Sequence, residues 1–395
     1  MVENYYFLGI GGIGMSAIAR YFKAKGFNVA GYDRTASLLT HELEKEGIAL
    51  NYSDEVEVIP SEYKNPDNTF VVFTPAIPKD NVQYNFFVSN NFVMQKRAQV
   101  LGDITRRERG LCVAGTHGKT TTSTMIAHIL KQSHVDCNAF LGGISKNYTS
   151  NLLLSDKSDL VVIEADEFDR SFHHLSPYMA VVTATDADHL DIYGTYDAYV
   201  ESFNHFTSLV QPGGVLIMKK GIVLNPQLAE NVSLYTYSAT EKADFYADNI
   251  RIGGGKLLFD FIAPTTKICD VDLGVPVLVN VENAVAAMAV ALLSGATESE
   301  LKAGIASFAG IRRRFEIHYK SDKFTLVDDY AHYPKEIEAS IKSINALYND
   351  RKIVVVFQPH LFTRTRDFYA DFAKALSVAN QVVLVEIYPA REKPI

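Results

Sequence analysis

The chain has 395 residues, of which 47% are hydrophobic and 21% charged, a composition typical of a folded globular protein. Its 46 acidic and 38 basic residues give a net charge of -8, which argues against a nucleic-acid binder, since such proteins present a basic face. The three cysteines form no closely spaced pair, so a cysteine zinc site is excluded. No signal-peptide pattern opens the chain, and the longest apolar run, 284–293, is far below the roughly 20 residues that span a bilayer. We expect a soluble, cytoplasmic protein.

Three segments of the chain open in the same way, with a short β-rich run, a tight turn and a helical pattern. Strands that alternate with helices in this manner predict an α/β fold with parallel sheets. At roughly 150 residues per domain, the length allows two or three domains. The first segment predicts strand 5–8, turn 9–14, helix 15–25 and strands 28–32 and 69–74.

The second and third segments repeat this order. The second predicts strand 111–114, turn 115–118, helix 119–133, strands 159–164 and 179–185, a β-rich insertion at 233–262 and a buried alanine-rich helix at 283–293. The third predicts strand 325–328, helix 335–347, strand 352–357, helix 367–379 and strand 381–387. Breaks near 106–110 and 310–314 divide the chain into domains 1–107, 108–311 and 312–395. A parallel sheet needs helices on both of its faces. The third domain has only two predicted helices, which are too few for this, so we expect that domain to be incomplete.

The run GIGGIG at 9–14 fits the GxGxxG pattern between a strand and a helix, and Asp33 follows about twenty residues later. Taken alone, this is a dinucleotide-binding fingerprint. Its physical basis is broader, because glycines let the backbone approach a ligand and the helix N-terminus offers free N–H groups. The loop therefore suits a nucleotide-sugar diphosphate as well as NAD. Tight packing of strand on helix, without a ligand, is the structural alternative.

The run GTHGKTT at 115–121 is a phosphate loop between a strand and a helix. It departs from the GxxxxGK[ST] pattern, because Val113 stands where the first glycine would be. The parts that carry the chemistry are present all the same: loop amides that cradle phosphate, Lys119 as a point charge on the β and γ oxygens, and Thr120 as a magnesium ligand.

Acidic and imidazole groups end the next two strands, in EADE at 164–167 and DADH at 186–189. Ligands of open parallel sheets lie at the carboxyl ends of the strands, so both clusters should face the phosphate loop. Mg²⁺ prefers oxygen ligands, which favours Glu164, whereas His189 suits a second metal or the transferred phosphate. A solvated loop charge is an equally open interpretation for three residues of these clusters, Asp166, Glu167 and Asp188.

Further polar runs belong to the third domain. One of the arginines at 312–314 would neutralise developing charge beside a nucleotide, although surface charge is equally open for Arg312 and Arg313. The runs DDYAH at 328–332 and QPHLFTRTR at 358–366 each follow a predicted strand. A guanidinium fork there would suit a ligand carboxylate, while Arg366 is equally open to a role as a surface charge.

Together, these motifs resemble the Mur ligase family, the ATP-dependent amide-bond ligases of peptidoglycan synthesis. The matching runs follow the family's order along the whole chain: GIGGIGMS (9–16), AGTHGKTTT (114–122), EADEFDRSF (164–172), DADHLDIYG (186–194), NVENA (280–284), RRRF (312–315), DDYAHYP (328–334) and QPHLFTRTRDF (358–368). Three residues depart from the family pattern, which usually has histidine, histidine and arginine at these positions: Val279, Tyr333 and Leu361.

The resemblance implies a Rossmann-like UDP-binding domain, a central P-loop ATPase domain with a parallel sheet and a C-terminal Rossmann-like domain that presents the amino acid. It also implies that ATP, with Mg²⁺, phosphorylates the carboxylate of UDP-N-acetylmuramate and that an amine then displaces the phosphate. Sister ligases carry a carbamylated lysine between the positions of Leu190 and Met218. No lysine occurs there in this chain, which resembles the branch that adds L-alanine.

The resemblance also implies roles for individual residues. The ATP contacts would be Gly115, Thr116, His117, Gly118, Lys119, Thr120, Thr121, Asn280, Asn283 and Asp329. The metal ligands would be Thr120, Glu164 and His189, and the catalytic residues Lys119, His189 and Arg314. The UDP-sugar contacts would be Gly11, Gly12, Ile13, Gly14 and Asp33. The alanine-side residues would be Tyr330, His332, His360 and Arg364.

Two alternatives stay open. A recycling ligase of the same family would take a murein tripeptide in place of alanine, although the short step from EADEFDRSF to the next strand favours the alanine enzyme. An NAD-dependent oxidoreductase would use the first glycine loop, but it has no need of a second loop with Lys119 and Thr120.

Overall fold

Strands and helices alternate along the chain in the computed structural model, which describes residues 2–253, 255–389 and 392. The helices are α1 (Ile13–Ala24), α2 (Leu38–Lys45), α3 (Val82–Ser89), α4 (Arg97–Arg107), α5 (Lys119–Gln132), α6 (Leu190–Tyr193), α7 (Tyr196–Ser208), α8 (Leu278–Leu293), α9 (Glu298–Ser307), α10 (Pro334–Leu347), α11 (Phe362–Asp367) and α12 (Tyr369–Leu376). The strands are β1 (Asn4–Leu8), β2 (Asn28–Tyr32), β3 (Ala49–Asn51), β4 (Thr69–Phe73), β5 (Val93–Lys96), β6 (Arg109–Ala114), β7 (Asn138–Ser145), β8 (Ser150–Leu153), β9 (Leu160–Glu164), β10 (Pro177–Val182), β11 (Val215–Lys219), β12 (Ser233–Ser238), β13 (Phe245–Gly253), β14 (Lys256–Ile262), β15 (Lys267–Asp272), β16 (Glu316–Lys320), β17 (Thr325–Asp328), β18 (Val354–Phe357) and β19 (Gln381–Leu384). The predicted α/β class is confirmed.

The first sheet has the order β3-β2-β1-β4-β5, and its strands are all parallel. Leu8 lies beside Tyr32 on one neighbour and beside Phe73 on the other, so three strands end at the same edge. Helix α1 buries Met15 and Ile18, because residues three apart lie on one side of a helix. The loops after β1, β2 and β4 therefore meet along one edge, the place where ligands of such sheets bind.

The central sheet has ten strands in the order β15-β14-β13-β12-β11-β10-β6-β9-β7-β8. The strands from β13 to β7 run parallel, and β14, β15 and β8 are antiparallel to their neighbours. The predicted β-rich insertion is confirmed as β12 to β14, and it extends this sheet. Strand β6 lies between β9 and β10, with Val113 beside Glu164 and Ala114 beside Val182.

The third region contains two small sheets. Strands β16 and β17 form an antiparallel hairpin, in whose turn the Ser321 N–H donates to the Phe324 carbonyl at 2.9 Å. Strands β18 and β19 pair in parallel. The expectation of one parallel sheet is wrong for the described residues, because the short turn pairs β17 with β16, a strand that was not predicted. The predicted helix 367–379 is also corrected, since α11 ends at Asp367 and α12 begins after Phe368, whose ψ of 16° is not helical.

Helix α8 forms the buried centre of the central region. Its residues from Ala284 to Ala291 have essentially no exposed surface, which confirms the predicted buried helix. Small side chains let α8 pack closely on α5. Helix α9 also approaches α5, because a Cβ on Gly304 would lie 3.0 Å from the Cα of Ile129. Every helix in the described part of the chain is too short or too polar to cross a membrane.

His128 on α5 predicts a pH dependence of stability. Its ring nitrogens contact the Tyr148 hydroxyl and Ser307 Oγ, each at 2.9 Å, and burial lowers the pKa of His128 from 6.5 to about 4. The unfolded chain therefore takes up this proton first, so the contribution is complete above pH 6.5 and is lost as the pH falls toward 4. We expect His128→Gln to reduce the fall in thermal midpoint between about pH 7 and pH 5. Equal falls in both proteins would contradict this assignment.

Candidate active site

The phosphate-loop sequence follows β6, at the point where β9 and β10 also end. Gly115 has a φ of 134° and Gly118 a φ of 81°, values that favour glycine. A Cβ on Gly115 would lie 2.1 Å from Thr183 Oγ1, so the loop runs tightly against the end of β10. Gly118 precedes α5, whose first N–H groups have no partner within the helix. The loop thus has the strand-loop-helix geometry on which phosphate binding depends.

Lys119 is largely buried at the first turn of α5. Its Nζ donates to the Gly115 carbonyl at 2.7 Å and to Oε1 of Glu167 at 2.7 Å. Burial alone would lower the pKa of Lys119, but the charges of Glu167 and Glu164 raise it above its ordinary value. The ammonium is therefore charged, and one of its three N–H donors is left for a ligand.

Thr120 and Glu164 present a pair of oxygen ligands. Thr120 Oγ1 donates to Glu164 Oε1 at 3.1 Å, and the other oxygen, Oε2, is buried without a hydrogen-bond partner among the described residues. Burial raises the pKa of Glu164, and the charge of Lys119 opposes that rise. A hydroxyl beside a carboxylate with an unsatisfied oxygen is a donor set that fits Mg²⁺.

Space for the Glu164 carboxylate is made by Gly142 on β7. A Cβ at this position would lie 1.9 Å from Glu164 Oε2. The adjacent Gly143 is close-packed as well, since its Cβ would lie 2.6 Å from a methyl carbon of Ile311. Two glycines outside the recognised motifs therefore shape the floor of the site, and the sequence patterns gave no signal for either.

His189 follows β10 with a φ of 51°, in the left-handed region. Its Nε2 lies 3.5 Å from Asp188 Oδ2 and 4.0 Å from Glu167 Oε1. The ring packs edge-on against Phe168, with 5.2 Å between centroids. His189 is thereby brought beside the carboxylate that holds Lys119.

A narrow pocket of about 120 Å³ lies between the central sheet and the third region. Asn283 accepts from the Thr122 hydroxyl and donates to Asn280, each at 3.2 Å. Small-molecule sites usually span about 300–1,000 Å³, so the pocket is narrower than a typical ligand site. The pocket brings Arg314, predicted to be catalytic, together with six of the predicted ATP contacts: His117, Gly118, Thr121, Asn280, Asn283 and Asp329.

Asp329 and Arg314 reach this pocket from the third region. Asp329 accepts from the Phe315 N–H at 3.2 Å and from the Ser340 hydroxyl. Burial raises the pKa of Asp329, and the positive charge of Arg314 opposes that rise. The Arg314 guanidinium lies over the ring of Tyr330 at 5.3 Å. Arg314 lines the same pocket as Gly118 and Thr121 of the phosphate loop.

The polar residues predicted for the amino-acid side gather around Tyr333. Its hydroxyl donates to Asp188 Oδ1 at 2.7 Å and accepts from Arg364 Nη2 at 3.1 Å. The Arg364 guanidinium also stacks on the Tyr333 ring at 4.3 Å, and its Nη1 contacts His360 Nδ1 at 3.2 Å. The rings of His332 and His360 are 6.1 Å apart. Burial raises the pKa of Tyr333 to about 12, so its hydroxyl keeps its proton at neutral pH.

The first turn of α10 holds the third region against the phosphate loop. His117 Nδ1 lies 3.3 Å from Glu336 Oε1, and Lys335 Nζ lies 2.8 Å from Asp186 Oδ1. Burial raises the pKa of Glu336, but the hydrogen bond from His117 and the charge of His332 outweigh it and lower that pKa to about 2. Together with the Tyr333–Asp188 hydrogen bond, these contacts join three residues within positions 333–336 to the central region.

The first glycine loop opens on a cleft of about 1170 Å³, large enough for an extended ligand. Four of the residues predicted to contact the UDP-sugar line this cleft: Gly12, Ile13, Gly14 and Asp33. Gly11 lies beside these residues in the loop, and its contact with a UDP-sugar stays a prediction. Its N–H donates to Asp33 Oδ2 at 2.8 Å, so Gly11 shapes the loop by holding the aspartate.

Arg97 connects this cleft with the central site. Its Nη2 donates to Asp166 Oδ2 at 2.8 Å, and a Cβ on Gly14 would lie 2.4 Å from its Nη1. The last glycine of the motif therefore makes room for an arginine. Lys96 Nζ lies 3.3 Å from Asp169, and both basic residues line the cleft. Neither was predicted, and the available signal was the basic pair at the junction of β5 and α4.

The structure also decides several charges that the sequence left open. Asp166 pairs with Arg97, Asp188 with Tyr333 and Glu167 with Lys119, so the solvated-loop interpretation is wrong for all three acids. Glu336 was missed, although a glutamate three residues into a helix that begins with proline is a recognisable capping signal. Arg366 is exposed and contacts its neighbour Asp367 at 2.7 Å, which confirms its interpretation as a surface charge.

Three sequence models of one family match successive parts of the chain. They are the Mur ligase family catalytic domain over residues 4–109, the Mur ligase middle domain over 113–291 and the Mur ligase glutamate ligase domain over 313–394. The chain therefore belongs to the Mur ligase family. The oxidoreductase alternative is not supported, since the first glycine loop lies within a Mur ligase domain.

Individual relatives carry a more particular name. The UDP-N-acetylmuramate–L-alanine ligase of Parabacteroides distasonis is 61% identical over 394 residues, covering 100% of this chain and 85% of the relative. That of Porphyromonas gingivalis is 58% identical over 395 residues, covering 100% and 87%. Among solved structures, the UDP-N-acetylmuramate-alanine ligase of Thermotoga maritima matches with a TM-score of 0.84 and 28% identity, over 98% of this chain and 85% of that one. A murein peptide ligase from Psychrobacter arcticus shares the fold, with a TM-score of 0.69 and 21% identity, over 97% and 91%.

Gly142→Ala tests the role of the space beside Glu164. The added methyl group displaces the carboxylate, so we expect apparent Mg²⁺ affinity, measured by titrating Mg²⁺ into protein with ADP, to fall about 10- to 100-fold. Gly253→Ala, at an open position of β13, is the matched control and should leave that affinity unchanged. Unchanged Mg²⁺ affinity in Gly142→Ala would show that the Glu164 carboxylate holds no metal.

Proposed function

We propose that this chain is an ATP-dependent ligase that joins L-alanine to the carboxylate of UDP-N-acetylmuramate through an acyl phosphate, in the synthesis of peptidoglycan precursors. One observation carries the proposal: a buried lysine and a magnesium-type oxygen pair lie between a large glycine-lined cleft and Arg364 with its partner Tyr333. A ligase that joins two substrates at the expense of ATP needs these three binding places side by side. The names of the relatives at 58% and 61% identity support the same substrates.

Under this proposal, ATP lies across the phosphate loop. The loop residues Gly115 to Thr121 bind its phosphates, and Asn280, Asn283 and Asp329 bind its nucleoside end. Thr120, Glu164 and His189 would hold Mg²⁺, which supplies positive charge to the phosphates when bound. Lys119, Arg314 and His189 act on the transferred phosphoryl group.

The two remaining substrates take the flanking places. The UDP-sugar occupies the cleft at Gly12, Ile13, Gly14 and Asp33. L-Alanine contacts a set of residues from the third region. Among them, Arg364 binds the alanine carboxylate, because a guanidinium fork matches a carboxylate in shape and charge. The other residues of this alanine-binding set are Tyr330, His332 and His360.

The chemistry starts from the fact that the oxygen of a carboxylate is a poor leaving group, so the carboxylate must be phosphorylated before an amine can displace it. A carboxylate oxygen of the sugar attacks the γ-phosphorus of ATP, the bond to the β–γ bridging oxygen breaks, and ADP leaves. The alanine amine then attacks the acyl carbon, the bond to the phosphate oxygen breaks, and the nitrogen loses a proton as the amide forms. Lys119 and Arg314 supply positive charge where phosphoryl charge accumulates. Closure of the third region excludes water from the labile acyl phosphate.

The proposal assigns one task to each predicted domain. Residues 1–107 carry the UDP-sugar, residues 108–311 bind ATP, and residues 312–395 present the amino acid. ATP and a nucleotide sugar are both made in the cytoplasm, so we place the reaction there.

Lys119→Ala tests the phosphoryl-transfer role. We expect it to abolish the phosphate release that depends on UDP-N-acetylmuramate and L-alanine, because no other lysine of the described residues lies on the phosphate loop. Phosphate release is measured with each substrate omitted in turn, and with a murein tripeptide in place of alanine. Lys302→Ala, on the exposed side of α9, should retain activity. Near-normal turnover by Lys119→Ala defeats the assignment, and a preference for the tripeptide identifies the recycling reaction instead.

Tyr333→Phe tests the amino-acid side. The change keeps the ring beneath Arg364 but removes the hydroxyl that orients the guanidinium. We expect the KM for L-alanine to rise about tenfold, the value of one hydrogen bond to a charged group, while the KM values for ATP and UDP-N-acetylmuramate stay constant. Tyr369→Phe, at an exposed tyrosine of α12, is the control. A parallel rise in all three KM values would mean that Tyr333 supports the fold and not the alanine site.

A further inference from the structure

Glu167 is a buried acid beside the lysine of the phosphate loop. The residue is 1% exposed and lies three positions beyond the end of β9. Its Oε1 accepts from Lys119 Nζ at 2.7 Å, while its Oε2 is buried without a hydrogen-bond partner among the described residues. Leaving a buried polar atom unsatisfied costs about 1–3 kcal/mol. The Glu167 carboxylate balances the buried Lys119 ammonium through one oxygen, and its other oxygen is left without a partner at the phosphate site.

The surroundings of Glu167 are those of the phosphate site. Lys119 is fixed at two points, by the Gly115 carbonyl and by Glu167, so its third N–H donor has a defined direction. His189 Nε2 lies 4.0 Å from the same carboxylate oxygen. The backbone carbonyl of Glu167 accepts from the Tyr193 hydroxyl at 2.5 Å, which fixes the backbone from the other side.

We propose that Glu167 is a positioning residue that holds the Lys119 ammonium in place for the transferred phosphoryl group. At the same time, the Glu167 carboxylate competes with the nucleotide phosphates for the positive charge of Lys119. The proposal rests on the proposed ligase function. A carboxylate beside Lys119 repels a triphosphate and weakens ground-state nucleotide binding. The same carboxylate keeps the lysine directed at the position that the phosphoryl group occupies during transfer. Only interactions that are stronger in the transition state than in the ground state raise kcat.

This arrangement predicts opposite effects on binding and on turnover. In Glu167→Gln, the amide oxygen still accepts from Lys119, but the negative charge is gone. ADP should bind about fivefold more tightly, because a near charge has been removed from a largely buried site. The kcat for phosphate release should fall at least about tenfold, because the lysine is no longer held by a charged partner. A residue with a merely structural role would, on substitution, weaken binding and turnover together.

The experiment measures ADP affinity by calorimetric titration and phosphate release with saturating UDP-N-acetylmuramate, L-alanine and ATP. Glu230→Gln removes the same charge from an exposed position of the central region and should change neither quantity. In Glu167→Asp, which keeps the charge but shortens the side chain, ADP affinity should stay near that of the unmodified protein while kcat falls. Tighter ADP binding together with a lower kcat in Glu167→Gln supports the inference.

Three results would overturn it: unchanged ADP affinity in Glu167→Gln, weaker ADP affinity, or an unchanged kcat. Failure of the proposed function has a different signature. If the unmodified protein binds ADP but releases phosphate without any need for L-alanine, the ligase assignment fails, and the affinity comparison still decides the role of Glu167 toward the phosphates. If the unmodified protein binds no ADP, both are wrong.

Discussion

The site depends on the parallel pairing of β6 with β9 and β10. This pairing ends three strands at one edge and sets Val113 beside Glu164 and Ala114 beside Val182. The backbone alone therefore brings three segments together at this edge: the phosphate loop, the acids after β9 and the histidine after β10. Burial of α8 and the close approach of α9 fix α5 behind the loop, so Lys119 starts from a rigid base.

Charge balance explains why the buried part of the site tolerates so many ionisable groups. Lys119 faces Glu164 and Glu167, and its positive charge opposes the rise in pKa that burial causes in both carboxylates. Such a cluster is stable only when each charge has a partner, because an isolated buried ion costs several kcal/mol. Farther out, Arg97 plays the corresponding role for Asp166, and this pair joins the sugar-side cleft to the phosphate side.

The sequence predicted those parts of the fold and site that local chemistry defines. Glycine loops, strand ends and the alanine-rich helix are visible because period, turn residues and motif spacing lie within about twenty residues. Gly142 and the pairing of Glu167 with Lys119 were not predictable, since each depends on a side-chain contact between segments more than twenty residues apart. The hairpin of β16 with β17 was missed because β16 directly follows the arginine run, which was interpreted as a domain boundary.

The docking of α10 has a mechanical consequence. Tyr333, Lys335 and Glu336 lie within one helical turn and meet Asp188, Asp186 and His117, respectively. Since the three partners stand on two neighbouring loops of the central region, a small rotation of this one turn would break all of the contacts at once. We therefore expect the third region to move as one body between a docked and an undocked position, with few stable intermediates. Tyr333, which replaces the usual histidine, makes one of the three docking contacts.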